Sequence, residues 1–195
     1  KLTAQIIEGA PYDIFISADM KFPYEVFKKG FAVAEPQRYA YGQLALVSVK
    51  PNLSANLHDL DDPRIKHIAV ANPKIAPYGK AAEEVLRYYG IYEKFKDKLV
   101  YGESISQTNQ FISTGAAEIG FTSYSSIPAF RNKDITFFSE FEEGSYSDIE
   151  QGIVQIKQAN KDPKEAEQFY LFLFSDKAKE ILKEYGYIIP KSEVQ

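Results

Sequence analysis

Gly102-Glu103-Ser104-Ile105-Ser106-Gln107-Thr108-Asn109-Gln110-Phe111-Ile112-Ser113-Thr114-Gly115, followed directly by Ala116-Ala117-Glu118-Ile119-Gly120-Phe121-Thr122-Ser123, reads as a strand end, a polar turn, a helix, a glycine stop and a buried strand. The turn is dense in hydroxyl and amide side chains and contains no Lys or Arg. A helix that begins near Ser104 or Ser106 leaves its first backbone N–H groups without intrahelical partners, and the helix dipole places partial positive charge there. Such an end can hold an anion with no cationic side chain.

The same strand-turn-helix grammar continues on both sides. Upstream, residues 67–71 (His-Ile-Ala-Val-Ala) form a buried strand, and Asn72-Pro73-Lys74-Ile75-Ala76-Pro77-Tyr78-Gly79 is a turn into a helix over 80–89, with Ala81, Ala82, Val85, Leu86 and Tyr89 on its apolar face and Gly90 at its stop. Earlier still, a helix under way at Leu2 and Ile6 ends at Gly9, a strand covers 13–17, and a helix covers 22–29. A strand over 43–49 follows, then a polar segment through 59–63 with a short helix at most. Between the two central helices lie a helical turn at 92–96 and a strand at 99–101. Downstream come a Ser-rich helix start at 124–128, strands at 135–138 and 149–156, and helices at 163–174 and 175–185, with Pro163 early in the first and Ser175-Asp176 capping the second. Strands alternating with helices predict an α/β fold with mostly parallel sheets flanked by helices. Three helix N-termini, after Ser17, Asn72 and Gly102, should stand at C-terminal sheet edges, where ligands of open α/β sheets bind.

Composition narrows the chemistry. Among 195 residues, 23 basic against 27 acidic side chains give a net charge of −4, which argues against a nucleic-acid surface. There is no Cys, so disulfides, thiolate metal sites and cysteine nucleophiles are excluded. No apolar run approaches the roughly 20 residues that span a bilayer. The chain opens on Lys1 with neither a charged n-region nor an apolar h-region, which predicts a processed or trimmed N-terminus.

Catalytic motifs fail on inspection. Gly102-Glu103-Ser104-Ile105-Ser106 is close to a nucleophile elbow, but its fifth residue is Ser, and His58 and His67 both precede it where the triad needs a later His. The two histidines lack the close spacing of a metal pair, so His67 reads as structural. Glu83/Glu84 and Glu142/Glu143 are neighbours that face different ways and read as solvated surface. The chain is not an enzyme on this reading. Tyr78 is either a turn aromatic packed on the core or a hydroxyl donor to an oxyanion, beside the free N–H groups of Tyr78 and Gly79. Helix capping explains the serines of Ser123-Tyr124-Ser125-Ser126 as well as ligand binding does.

Taken together, residues 2–19, 72–79 and 102–121, in this order and spacing, with the Tyr185-Gly186-Tyr187 close, resemble the periplasmic molybdate-binding proteins of bacterial ABC transporters over nearly the whole chain. The resemblance implies the two-lobed type II periplasmic-binding-protein fold, with 1–44 and 148–195 in lobe 1 and 45–147 in lobe 2. It implies capture of molybdate or tungstate between the lobes and delivery to the membrane permease of an ABC transporter, by a periplasmic monomer whose signal peptide is not in this chain. No cofactor and no cation ligands are implied, molybdenum entering only as its oxyanion. Carried over by position, Tyr78 and the backbone N–H of Ile105 contact the oxyanion; Ser123 lies where some members offer a tyrosine hydroxyl and Tyr124 follows it, and both are further oxyanion-binding candidates. The family's other ligand turns would lie upstream of Lys1, so lobe 1 is expected to be incomplete. About forty residues holding a central strand and a helix would be missing, whose burial at about 25 cal/mol per Å² is worth many kcal/mol. The alternative class is the oxyanion-sensing effector domain of a transcription regulator.

Overall fold

The chain passes between two units twice, at Gly42/Gln43 and at Asp148/Ile149, so the first unit is Lys1–Gly42 with Ile149–Gln195 and the second is Gln43–Asp148. The computed structural model describes residues 1–130, 135–157 and 164–190. In chain order the elements are α1 (Leu2–Ile7), β1 (Ile14–Ser17), α2 (Lys21–Lys28), β2 (Gln37–Gly42), β3 (Leu44–Ser48), β4 (Ile68–Ala71), α3 (Pro77–Tyr88), α4 (Tyr92–Phe95), β5 (Leu99–Gly102), α5 (Ile105–Ser113), β6 (Ile119–Ser123), β7 (Thr136–Phe138), β8 (Ile149–Gln155), α6 (Lys164–Leu173) and α7 (Asp176–Glu184).

In the first unit β8 lies between β1 and β2, antiparallel to both. Ile6, Phe15, Val26, Ala32, Val154 and Ile156 make its core. Strand β2 has no counterpart in the sequence reading. Its residues, Gln37-Arg38-Tyr39-Ala40-Tyr41-Gly42, carry no aliphatic side chain beyond Ala40, and a register shift between Arg38 and Ala40 breaks the alternation that marks a strand. What holds it is aromatic and ionic: the Arg38 guanidinium sits 4.7 Å from the Tyr41 ring centre and pairs with Glu150 of β8.

The second unit has a five-stranded sheet in the order β5-β4-β6-β3-β7. Every residue of β3, β4 and β6 is buried. This is why they read as near-continuous apolar runs, as strands covered on both faces do. Ala45, Val47, Ala69, Ile112 and Ala117 form the core between sheet and helices. The expectation of mostly parallel sheets needs correction. Parallel pairing is confined to β5-β4-β6, while β3 runs antiparallel to both β6 and β7. Adjacent parallel strands need a crossover connection, which α3 and α5 provide for β5-β4-β6; β3 enters straight from the crossing at Gly42/Gln43.

Helix α3 begins at Pro77, three residues before the predicted start, because Pro at the first helical position comes with its φ already set. Gly90 follows it at φ +68, the left-handed stop expected there. Ser175 caps α7 through the Ala178 N–H at 3.2 Å. Pro163, the predicted opening of the preceding helix, lies outside the described residues.

Candidate functional site

Parallel register brings three strand ends together in the second unit. Ala71 of β4 stands opposite Gly102 of β5, Ala69 stands opposite Gly120 of β6, and the Asn72 N–H continues the first ladder to the Gly102 carbonyl at 2.7 Å. From this edge the chain enters α3, α5 and the 3-10 turn Tyr124–Ala129, so Tyr78, Ile105, Ser123 and Tyr124 all belong to one sheet edge.

At the α3 edge Tyr78 is in the first helical turn and buried, 5% exposed. The helix starts hard against the strand: a Cβ on Gly79 would lie 2.0 Å from the Ala71 carbonyl oxygen, so glycine is required for the approach. The Gly79 N–H, expected to be free, instead donates to the Ala76 carbonyl at 3.0 Å.

At the α5 edge Ser104 is the N-cap, and its Oγ accepts from the Gln107 N–H at 3.3 Å. Gln107 reaches back with Oε1 to the Glu103 N–H at 2.7 Å, a variant of the capping box. Thr108 opens the helical ladder onto the Ser104 carbonyl at 3.0 Å. The N–H groups of Ile105 and Ser106, at the first two helical positions, have no intrahelical acceptor. The Ser106 amide is one that the sequence reading did not single out; Ser104-x-x-Gln107 was the signal that fixes the helix start at Ile105 and leaves both amides without an intrahelical partner.

At the β6 edge Ser123 is 5% exposed. Its Oγ lies 2.6 Å from Ser126 Oγ and accepts from Ser125 Oγ at 3.2 Å. Capping does not explain it, since Ser123 makes no side-chain bond to the backbone of the turn it precedes. Two neighbouring hydroxyls meet it, and in the arrangement where Ser126 as well as Ser125 donates, the Ser123 O–H is polarised and left for another acceptor. Tyr124 is anchored by its backbone and ring: its N–H donates to the Gln43 carbonyl at 2.8 Å, and its ring meets Phe137 edge-on at 5.8 Å against the β3 core.

The third predicted helix end differs. In the first unit Asp19 accepts from the Phe22 N–H at 3.1 Å, so the start of α2 is already matched by a carboxylate of its own chain.

None of the four predicted residues carries a formal charge at neutral pH. A charged feature, an open depression of about 430 Å³ on α3, is lined by Pro73, Lys74, Lys80, Glu83, Glu84 and Arg87, and none of the four lines it. Its charges are largely paired, Lys80 with Glu84 at 3.3 Å and Arg87 with Glu83 at 2.7 Å. Burial pushes the Glu84 carboxyl up, but the N–H and hydroxyl of Ser147, at 2.7 and 3.0 Å, and Lys80 bring it below the ordinary glutamate value. The described residues hold no group of three or more His, Asp or Glu side chains fit to bind a metal. His67 is half-exposed, and both its backbone N–H, donating to Glu118 at 2.8 Å, and its ring Nδ1, 3.8 Å from the same carboxylate, face Glu118.

Residues 1–188 match the model of the bacterial extracellular solute-binding proteins. The chain belongs to this family. The molybdate-binding protein ModA of Azotobacter vinelandii is 39% identical over 188 residues, covering 94% of this chain and 73% of that one. ModA of Rhodobacter capsulatus is 37% identical over 186 residues, covering 94% and 72%. The solved periplasmic molybdate-binding protein of A. vinelandii superposes with a TM-score of 0.84 at 35% identity, covering 97% of this chain and 84% of that one. The solute-binding protein thus has the type II fold of these relatives and, like them, is not an enzyme. The described residues hold no helix long and apolar enough to cross a membrane.

Proposed function

We propose that this solute-binding protein captures molybdate or tungstate and hands it to the membrane permease of an ABC transporter, acting outside the cytoplasm as a monomer. The first unit, Lys1–Gly42 with Ile149–Gln195, serves as lobe 1 and the second, Gln43–Asp148, as lobe 2. The observation that supports the reading is the placement, at one sheet edge of the second unit, of the uncommitted Ile105 and Ser106 amides together with Ser123 and Tyr78. We assign Ile105 and Ser106 as backbone donors, Ser123 and Tyr78 as hydroxyl donors, and Tyr124 as the residue that holds the Ser123 turn in place.

Amides and hydroxyls suit a ligand that is an acceptor at every oxygen, which describes a fully ionised tetrahedral oxyanion. A ligand that keeps a proton would need an acceptor facing it, and the four assigned residues include no carboxylate. Molybdate, tungstate and sulfate share charge and symmetry, so preference among them rests on cavity size. The regulator alternative is not favoured, because the molybdate-binding relatives belong to the transport family.

Thermal unfolding against a panel of molybdate, tungstate, sulfate and phosphate tests the reading. At one hundred times its dissociation constant a ligand adds about 2.7 kcal/mol to stability. Molybdate and tungstate should raise the melting temperature at submicromolar to micromolar concentrations, and sulfate should not; an equal response to sulfate refutes the assignment.

A further inference from the structure

Asn109 and Thr122 belong neither to the apolar core nor to the donor set, yet they join the two elements that carry most of the donors. Thr122 is fully buried on β6, next to Ser123, and its hydroxyl donates to Oδ1 of half-buried Asn109 on α5. Side chains alternate along a strand, so Thr122 shares a face of β6 with Gly120. That face carries α5, because a Cβ on Gly120 would meet Ile112 Cδ1 at 2.7 Å.

Helix α5 is therefore hung on β6 at two points, Ile112 over Gly120 and Asn109 over Thr122. From Ile112 to Asn109 the helix advances about 4.5 Å toward its N-terminus, and Ile105 lies a further 6 Å or so along. The strand advances about 6.7 Å from Gly120 to Thr122, which brings the Ile105 amide level with the end of β6, where Ser123 stands. The contact of Ile112 with Gly120 is dispersive and tolerates sliding of a few tenths of an ångström. A hydrogen bond, whose strength falls steeply with distance and angle, does not.

We infer that the Asn109–Thr122 hydrogen bond is a positioning pair that sets the separation between the α5 amides and the Ser123 hydroxyl, and through it the size of oxyanion accepted. The inference rests on the oxyanion reading above. Neither side chain touches the anion. Losing the bond frees α5 to settle closer to or further from β6, and the site then loses its ability to reject the smaller sulfate tetrahedron.

The test is calorimetry of molybdate and sulfate binding to wild type, Thr122→Val, Thr122→Ser and Asn109→Ala. Val keeps the shape of Thr without its hydroxyl; Ser keeps the hydroxyl. Thr122→Val is expected to shrink the molybdate-over-sulfate preference by about fivefold to tenfold, the worth of one hydrogen bond, and Thr122→Ser to retain it. Asn109→Ala, on a half-buried helical position, should reproduce the loss and stands in if Thr122→Val fails to fold. A lower melting temperature with an unchanged preference in Thr122→Val and Asn109→Ala overturns the inference and leaves the oxyanion reading intact. Wild type that binds neither anion overturns that reading and the selectivity claim with it.

Discussion

Ile105 acts, in this reading, through an atom that no side-chain substitution removes. Its N–H sits at the first helical position, where the helix makes no use of it, and the residue before it, Ser104, is extended at φ −154 and ψ 164. Both facts suit proline, whose ring supplies a helical φ at this position and asks the preceding residue to be extended. Ile105→Pro therefore deletes one donor with little damage to the fold. We expect it to weaken molybdate binding by about tenfold to a hundredfold, the 1.5–3 kcal/mol of a hydrogen bond to a charged group, with the melting temperature of the anion-free protein nearly unchanged. Ile105→Val keeps the amide and should bind as wild type does. Calorimetry on the two variants checks this, and equal affinity in both removes Ile105 from the donor set. The helix start beside Ser104 was legible from the sequence because helix starts follow local rules, whereas Ile105 itself was singled out by the family resemblance. The Gly79 amide was misjudged for the same reason in reverse: whether a first-turn N–H is spent on a 3-10 bond depends on how α3 abuts Ala71, which only the packed structure supplies.

Among the elements, β4 and β6 set the edge on which these donors stand, and their opposite ends are tied by one carboxylate. Glu118, just before β6, accepts from the N–H groups of Lys66 and His67, just before β4, at 2.9 and 2.8 Å. Burial raises its pKa, but the two amides outweigh burial and hold it below the ordinary value of 4.5. A carboxyl whose pKa is depressed by folding contributes stability that is complete above its unfolded value and is lost as pH falls through the folded one. Glu118→Gln should thus lower the melting temperature at pH 7 by about 2–4 °C, for roughly 1 kcal/mol, and the gap to wild type should close as the pH is taken toward 3. A gap that persists at low pH assigns the tie to shape rather than charge. Strands β3, β4 and β6 were readable because burial on both faces writes itself as unbroken apolar runs. Strand β2 was not, since Arg38, Tyr39 and Tyr41 gain their places from a neighbouring strand more than a hundred residues away in sequence, and no local pattern encodes that.

For the whole molecule the charge balance poses a physical question, because a protein of net charge −4 is asked to hold a dianion. Two arrangements could do so. In the first, neutral amides and hydroxyls aim their dipoles at the ligand over hydrogen-bond distances, and mobile salt has little to screen. In the second, the cations of the α3 depression, Lys74, Lys80 and Arg87, attract the anion from solvent. Lys80 and Arg87 are already paired with Glu84 and Glu83, and all three cations are solvent-facing, so their pull fades over a Debye length of about 10 Å at 0.1 M salt. The two arrangements diverge when salt is added. Neutral donors predict a molybdate affinity that changes by less than about twofold between roughly 20 mM and 500 mM sodium chloride, with an association rate that holds or rises slightly as the repulsion from the net negative charge is screened. A cationic site predicts an affinity that falls tenfold or more over the same range. Stopped-flow and calorimetric titrations at the two salt concentrations decide between them, and the second outcome would move the anion from the ends of β5 and β6 to the outer face of α3.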